Sequence, residues 1–422
     1  MSNTPSSQGM PMTMQSYDDS LARICAEAAP RPPVSRPLFE SVGLVLAEDL
    51  TAPLSVPSFD NSAMDGFAFS AAAVATATPD RPIRLTVAGA SIAGAEPPPP
   101  LQKGTAVKIM TGAPLPKGAD TILPVEAAGW DHETLIFDRP YPAGRHVRRE
   151  GEDIMAGAPL LAAGTRIAPQ HLPLLCAAGQ ARLPVSPAPR VVWISTGQEI
   201  SDDFNAPLAA GQIYNATRLY GQVMASDIGM KIIGSVTVRD TPEDFADALH
   251  QALESDPDLI LSTGGVSAGQ YDFVRPVLER IGADIILHKA RIKPAKPVLF
   301  ARLQQGSFFF GLPGNPISTA LALRIFVAPF IRRFTGRAPE MMRKARLAGA
   351  VETADDKTVF LMGTVAPDIT GALIATAQTG QHSFRTASFA AGNAWIIVPE
   401  GTGRLEAGAE VIWLPFHPEA AL

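Results

Sequence analysis

The chain has 422 residues, of which 46% are hydrophobic and 18% charged, and 35 basic against 41 acidic residues leave a net charge of −6. That length exceeds one ordinary domain and calls for roughly two to four, and the composition excludes a disordered chain. The acidic balance argues against general nucleic-acid binding, which wants a basic face, while leaving room for a local basic pocket.

Cys25 and Cys176 are the only cysteines. Two isolated thiols make neither a disulfide framework nor a zinc knuckle, so a reducing cytoplasm is the expected compartment. The opening "MSNTPSSQGMPMTMQ" has no charged and apolar leader pattern, so no secretory signal is expected. No apolar run approaches the ~20 residues that span a bilayer, which predicts a soluble protein with no membrane partner.

In chain order, "YDDSLARICAEAA" (17–29) spaces Leu21, Ile24, Cys25 and Ala28 as an amphipathic helix would. Between about 50 and 150 the pattern shifts to short β runs, "IRLTVAG", "TAVKIM", "DTILPVE" and "TLIFD", broken by glycine and proline. "IAPQHLPLLCAAG" then predicts a short helix ending at Gly179. Both cysteines fall in apolar helical patterns and are expected in the core, while His171, His250 and His288 lack metal-ligand spacing. This first region, 1–187, is therefore expected to be a linker-helix segment carrying an inserted β-rich domain. "PVSPAPR" (184–190) follows as a linker.

Residues 188–336 alternate strands such as "RVVWIST", "KIIGSVTV" and "DLILS" with helices such as "NATRLYGQVMASDIG" and "PEDFADALHQALES". The alternation predicts a central doubly wound, mainly parallel α/β domain. After a break at "TGRAPE", residues 340–422 return to short strands with glycine turns and predict a small β-barrel.

Ligands of doubly wound sheets bind beyond the carboxyl ends of the strands. Three such ends carry marked loops. "WISTGQEI" holds Ser195 and Glu199; "LSTGGVSAGQYD" holds Gly264, Gly265, Ser267, Gly269 and Asp272; "FFFGLPGNPIS" holds Pro313, Gly314, Asn315 and Ser318. Glycine lets backbone N–H groups approach an anion, and a helix N-terminus adds partial positive charge. Neither a P-loop nor GxGxxG spacing is present. Between the last two loops "HKARIKPAKP" gathers Lys289, Arg291, Lys293 and Lys296, an expected oxyanion pocket in an acidic chain. Two acidic motifs, "SVPSFDNSAMDGFAFS" with Asp60 and Asp65 and "RREGEDIMAG" with Glu150, Glu152 and Asp153, lie in turn-rich stretches that also fit ordinary Asx turns.

In order, "PSFDNSAMDGFA", "MTGAPLPKGADTILPVE", "REGEDI", "STGQEI", "STGGVSAGQYD", "KPAKP" and "GLPGNPIS" resemble the MoeA-type molybdopterin molybdenumtransferases, relatives of the gephyrin E domain. The likeness runs from about residue 17 to 417. It implies a MogA-like α/β domain, β-rich N-terminal domains and a transferase that inserts molybdate into adenylylated molybdopterin with release of AMP, dependent on magnesium (Mg²⁺). The family's acidic positions fall on Asp65, Asp153, Glu199, Asp240 and Asp272. Glu199 and Asp272 are expected on the magnesium side, helped by Ser195. Asp240 in "VRDTPED" fits a helix N-cap region equally well.

Lys293, Lys296 and Ser318 are the implied molybdate contacts, with Lys289 nearby and Gly264, Gly265, Ser267, Gly269, Pro313, Gly314 and Asn315 facing the rest of the substrate. The family's Gln-Gly-Ser reads Gln381-His382-Ser383 here, so Ser383 carries over and His382 replaces a glycine. Met362 stands where the family commonly has an arginine, with Arg385 or Arg343 as candidate replacements. The resemblance further implies a homodimer that shares its cleft, with the molybdopterin adenylyltransferase and molybdoenzyme chaperones as partners. Two other activities fit parts of the pattern: a molybdopterin adenylyltransferase-like or nucleotide-phosphate hydrolase activity, and a non-catalytic molybdopterin-binding scaffold.

Overall fold

The structure, a computed structural model, describes residues 14–131, 133–266, 272–354 and 356–418. The chain divides into two compact units: one takes Met1–Val34, Gly43–Ala47 and Val185–Leu422, the other Ser35–Val42 and Glu48–Pro184.

In the first unit α1 (Tyr17–Ala26) starts at Ser16, whose hydroxyl accepts from the Asp19 N–H, and buries Tyr17, Ser20 and Ile24. The α/β part follows as β1 (Arg190–Thr196), α2 (Ala216–Asp227), β2 (Lys231–Val238), α3 (Pro242–Glu254), β3 (Leu259–Thr263), α4 (Val274–Arg280), β4 (Asp284–His288), β5 (Ile292–Lys293), β6 (Leu299–Arg302), β7 (Phe308–Leu312), α5 (Pro316–Ala322) and α6 (Ala328–Phe334). A π-helical segment, Leu323–Val327, joins α5 to α6.

The main sheet has the order β2-β1-β3-β7-β6-β4. Its β2–β1, β1–β3 and β3–β7 pairings are parallel, while β6 runs antiparallel to both β7 and β4. The near-continuous apolar runs reflect burial on both faces: Trp193, Leu261 and Phe310 face one core, Val192, Ile260 and Phe309 the other.

The C-terminal strands are β8 (Arg343–Leu347), β9 (Thr358–Pro367), β10 (Leu373–Ala377), β11 (Ala394–Val398) and β12 (Glu410–Pro415). Their pairings run β9-β10-β8-β12-β11 and return to β9, which closes a five-stranded barrel. Closure removes every free sheet edge among these strands. Val359 and Leu361 fill the barrel, while Phe360 and Met362 face the larger core, as the two-residue period of a strand requires. β5 adds to β9 in parallel, Ile292 opposite Thr358 and Lys293 opposite Val359, which ties the lysine-rich loop to the barrel.

The second unit is built on a five-stranded sheet of order Thr121–Pro124, Gly66–Phe69, Thr105–Ile109, Ile83–Ser91, Thr134–Phe137. Phe67, Phe69, Leu85, Leu135 and Phe137 form its core.

Three expectations change. Cys176 is exposed rather than core, because the short helix Leu172–Ala177 buries only Leu175; Cys25 is half-buried. The linker at 184–190 is partly strand, with Val185 and Ser186 paired to Leu46 and Val45. The apolar run "ISTALALRIFVAPFIRRF" (317–334), which reads as one helix, is interrupted by the π segment. Among the described residues no helix is long and apolar enough to cross a membrane.

Candidate functional site

The loop after β1 is fixed by a short parallel pair, Ile200–Ser201 against Ile213–Tyr214. The Ile213 N–H donates to the Glu199 carbonyl at 2.8 Å and the Asn215 N–H to the Ser201 carbonyl at 2.9 Å. Asn215 then caps α2, its side-chain oxygen accepting from the Arg218 N–H at 3.0 Å. Its amide also donates to Asp202, which pairs with Arg218 at 3.1 Å. The exposed Glu199 thus projects from a braced turn.

Glu199 lines a cavity of about 170 Å³ together with Asp240, Gly264, Gly265, Gly314 and Asn215. Two acids and three of the predicted glycines therefore meet at the carboxyl ends of β1, β3 and β7. Asp240 belongs to this cavity and is not the cap of α3; that role is Thr241's, whose hydroxyl accepts from the Asp244 N–H at 3.1 Å. Gly264 has φ +93°, and a Cβ there would lie 2.4 Å from the Thr196 hydroxyl oxygen and 3.0 Å from the Thr196 carbonyl oxygen. Gly264→Ala is expected to destabilise the unit by about 2–3 kcal/mol. Chemical denaturation checks this, and an unchanged midpoint would show that the turn relaxes without strain.

Ser195 is fully buried within β1 and accepts a hydrogen bond from the Trp193 indole N–H at 3.1 Å, so its hydroxyl does not reach the cavity. Pro313 accepts from the Thr319 hydroxyl, and Asn315 caps α5 by accepting from the Ile317 N–H at 3.2 Å. Ser267 and Gly269 lie outside the described residues.

Asp272 does not line this cavity. One of its oxygens lies 3.7 Å from His288 Nε2, while Arg275 donates to His288 Nδ1 at 3.2 Å, which leaves the proton on Nε2, facing the carboxylate. Burial, with Lys289 and Arg275 reinforcing it, pushes the imidazole below its usual range. The buried Asp272 Oδ1 and His288 Nε2 have no hydrogen-bond partner among the described residues. The Asp272–His288 pairing is a feature the sequence does not signal, because the two residues are far apart in spacing and meet only when β4 lies beside α4.

A second cavity, of about 430 Å³, is lined by Lys293, Lys296, Ser318, Ser383, Gln381 and His382, and by Lys357. Four predicted oxyanion contacts from three separate stretches of chain converge here. Lys289, at φ +68°, does not line it. Gln381 is committed to the backbone: it accepts from the Met362 N–H and donates to the Met362 carbonyl, both at 2.8 Å. That clasp fixes the turn that presents His382 and Ser383. Met362 itself is buried in the core opposite Trp395, so its side chain supplies nothing to the cavity. Of the two candidate replacements, Arg343 lies over the Trp413 ring at 5.4 Å and Arg385 packs beside Gly380. The additional cation lining the cavity is Lys357.

In the second unit Asp65 accepts from the Thr111 N–H at 2.7 Å and from its hydroxyl at 2.9 Å, contacts that hold its carboxyl below the usual carboxylate range. Asp153 is exposed, its N–H bonded to the Val56 carbonyl. Asp60 bridges Arg149 at 2.6 Å and the Glu150 N–H at 2.8 Å, pinning the two acidic motifs together within that unit.

A third cavity of about 350 Å³, lined by Tyr17, Leu21, Cys25, Arg324 and Met342 among others, is more apolar and carries none of the predicted site residues. Among the described residues no group of three or more histidine, cysteine or acidic side chains is arranged to hold a metal ion. A cation at the first cavity would therefore take one or two carboxylates and draw its other ligands from substrate and water, the habit of magnesium. Glu199 and Asp240 fit that mode.

A doubly wound domain with glycine loops and acids at one strand-end cavity and lysines and serines at another offers the groups that suit phosphate- and oxyanion-bearing ligands. Family models for the MoeA N-terminal region (domain I and II), a probable molybdopterin binding domain and the MoeA C-terminal region (domain IV) match residues 15–179, 192–333 and 344–416. A molybdopterin molybdenumtransferase of Synechococcus elongatus is 37% identical over 94% of this chain and 98% of its own. Molybdopterin molybdenumtransferase 2 of Mycobacterium tuberculosis is 35% identical over 90% and 95%. The crystal structure of a molybdopterin biosynthesis MoeA protein from Pyrococcus horikoshii superposes with a TM-score of 0.83 at 28% identity, covering 96% of this chain and 99% of that one. The chain belongs to the molybdopterin molybdenumtransferase family, enzymes of molybdenum cofactor biosynthesis.

Proposed function

We propose that this enzyme inserts molybdate into the dithiolene of adenylylated molybdopterin and releases AMP, in a magnesium-dependent reaction. The observation that carries the reading is the lysine cavity, where Lys293, Lys296, Ser318 and Ser383 line one space. These are ammonium and hydroxyl donors, the groups that hold a tetrahedral oxyanion.

The chemistry is electrostatic and positional. Lys293 and Lys296 hold molybdate, and Ser318 and Ser383 orient its oxygens. Gly265 and Gly314 let the backbone approach the phosphates of the adenylylated substrate closely, while the Gly264 N–H is held by the Leu312 carbonyl at 3.1 Å. Magnesium, when bound, neutralises the phosphate charge and polarises the linkage to AMP. Glu199 and Asp240 would hold it; Asp272, 3.7 Å from His288 Nε2, is a further acid outside that cavity. Asp65 and Asp153 enter as acids contributed across a homodimer that shares its cleft. No side-chain nucleophile is required. Handover of the product to chaperones of molybdoenzymes, supply of substrate by the adenylyltransferase and a cytoplasmic location complete the reading.

Lys293→Ala tests it. The molybdate concentration for half-maximal AMP release should rise at least about tenfold, the effect of deleting one charge-assisted contact to an anion. AMP release at the same rate with and without molybdate would instead identify a nucleotide-phosphate hydrolase. Tight substrate binding without turnover would identify a scaffold.

A further inference from the structure

The turn on one side of the lysine cavity carries a pair of aromatic rings. His382 lines the cavity, and among the residues lining it His382 supplies the aromatic ring. That ring stacks on Phe384, with centroids 5.5 Å apart and planes at 22°. Both side chains are exposed, Phe384 to 68%. Neither ring takes part in the bonds that hold the turn. Gln381 clasps the Met362 backbone, and the Arg385 N–H donates to the His382 carbonyl at 2.9 Å. A large ring left in water beside a polar cavity adds little to folding and offers a flat face to a ligand.

Resting on the reading that adenylylated molybdopterin meets molybdate here, we propose that His382 and Phe384 form the platform on which the pterin ring of the substrate stacks. The glycine and lysine cavities lie on either side of the start of α5: Gly314 and Pro316 line the first, Ser318 the second. A substrate with its phosphates at the glycines and its dithiolene at the lysines has its pterin still to place. The pterin is a flat heteroaromatic system fused through one ring to the dithiolene, so it lies beside the metal that the lysine cavity receives. The cavity wall that suits a flat ring is the one formed by His382. Stacking engages only ring faces, as with nucleobases on aromatic side chains, so it fixes the pterin plane without competing for the lysines.

The probe that isolates this contact is 6-hydroxymethylpterin, an uncharged pterin that has no anion to offer the lysines. It would be titrated into the full-length protein and followed by quenching of its fluorescence, with sodium molybdate titrated separately by calorimetry. Phe384→Ala should weaken pterin binding by about tenfold and leave molybdate affinity unaltered, while Phe384→Tyr, which keeps a stacking ring, should bind as wild type does. His382→Gly should show the same loss of pterin affinity and keeps the test intact if Phe384→Ala folds poorly. Equal pterin affinity in wild type, Phe384→Ala and His382→Gly overturns the platform alone, as does a wild type that binds molybdate but no pterin. Loss of pterin binding in Phe384→Tyr as well would also overturn it, since the ring is still present. Failure of wild type to bind molybdate overturns the oxyanion reading and the platform with it.

Discussion

Glu199→Gln is expected to lower molybdate-dependent AMP release by about 10²–10³-fold while leaving the fold unchanged. The turn that carries Glu199 is held through its backbone, by the Ile213 N–H on its carbonyl and the parallel pairing of Ile200 with Ile213. Its carboxylate takes no part in that bracing, so the amide keeps the loop and loses only the charge. What the charge does follows from the cavity: about 170 Å³ lined by Glu199, Asp240 and three glycines at the strand ends. A phosphate facing those glycines and two carboxylates repel one another unless a divalent cation lies between them, and Mg²⁺ bound through one or two carboxylates plus phosphate is the common arrangement. If the two carboxylates hold magnesium as proposed, removing one should raise the magnesium requirement as well as lower the maximal rate. Asp240→Asn should do the same to a lesser degree, since that residue is only partly exposed at the cavity wall. The check is AMP release across a magnesium titration, with unfolding curves of both variants as control. Full activity of Glu199→Gln at all magnesium concentrations would remove the residue from the site.

Much of this arrangement is legible in the sequence because it rests on local rules. Arg190–Thr196 and Lys231–Val238 are the strands that "RVVWIST" and "KIIGSVTV" predict, since continuous apolar β-branched runs bounded by turns have few other fates. The glycines at 264 and 265 announce a backbone that only glycine adopts readily, and both have positive φ. The lysine loop announces its charge. What the sequence conceals is long-range partnership. Ser195 is grouped with the loop of "WISTGQEI", yet it lies inside β1, where its buried hydroxyl accepts from the Trp193 indole. Lys357 sits in "DDKTVF" as an ordinary solvated charge; only the β5–β9 pairing brings it to the lysine cavity. His288 lacks any ligand spacing and acquires its role through Arg275 and Asp272, both on other segments. The barrel of 340–422 is expected from its short strands and glycine turns and is present; hidden are the pairings that close it, β9 with β11 as well as β10, and the short strand Arg343–Leu347.

Arg324→Met should cost the first unit about 3–5 kcal/mol of stability, the largest structural effect expected of any single change here. In "ISTALALRIFVAPF" Arg324 is one cation in an apolar helical run, a pattern that predicts a residue stretched toward solvent. Instead its side chain is 1% exposed. Its Nη2 meets both oxygens of Glu340 at 2.7 and 2.8 Å, and its Nε donates to the Pro415 carbonyl at 2.8 Å. The guanidinium thus joins the π-helical segment, the stretch leading into β8 and the end of β12, and Tyr17 of α1 lies close enough to feel its charge. Methionine fills similar volume, so the loss is not a cavity. It is the stranding of a largely buried carboxylate and a buried carbonyl with no donor, the costly half of a broken ion pair. Pairing the change with Glu340→Gln removes the stranded charge, and the double variant should recover much of the stability. Urea unfolding of the single and double variants, followed by the fluorescence of Trp395 and Trp413 in the adjoining barrel, separates the possibilities. Equal destabilisation in both would mean that the Pro415 contact alone matters, and a single variant as stable as wild type would mean that Glu340 finds water once its partner is gone.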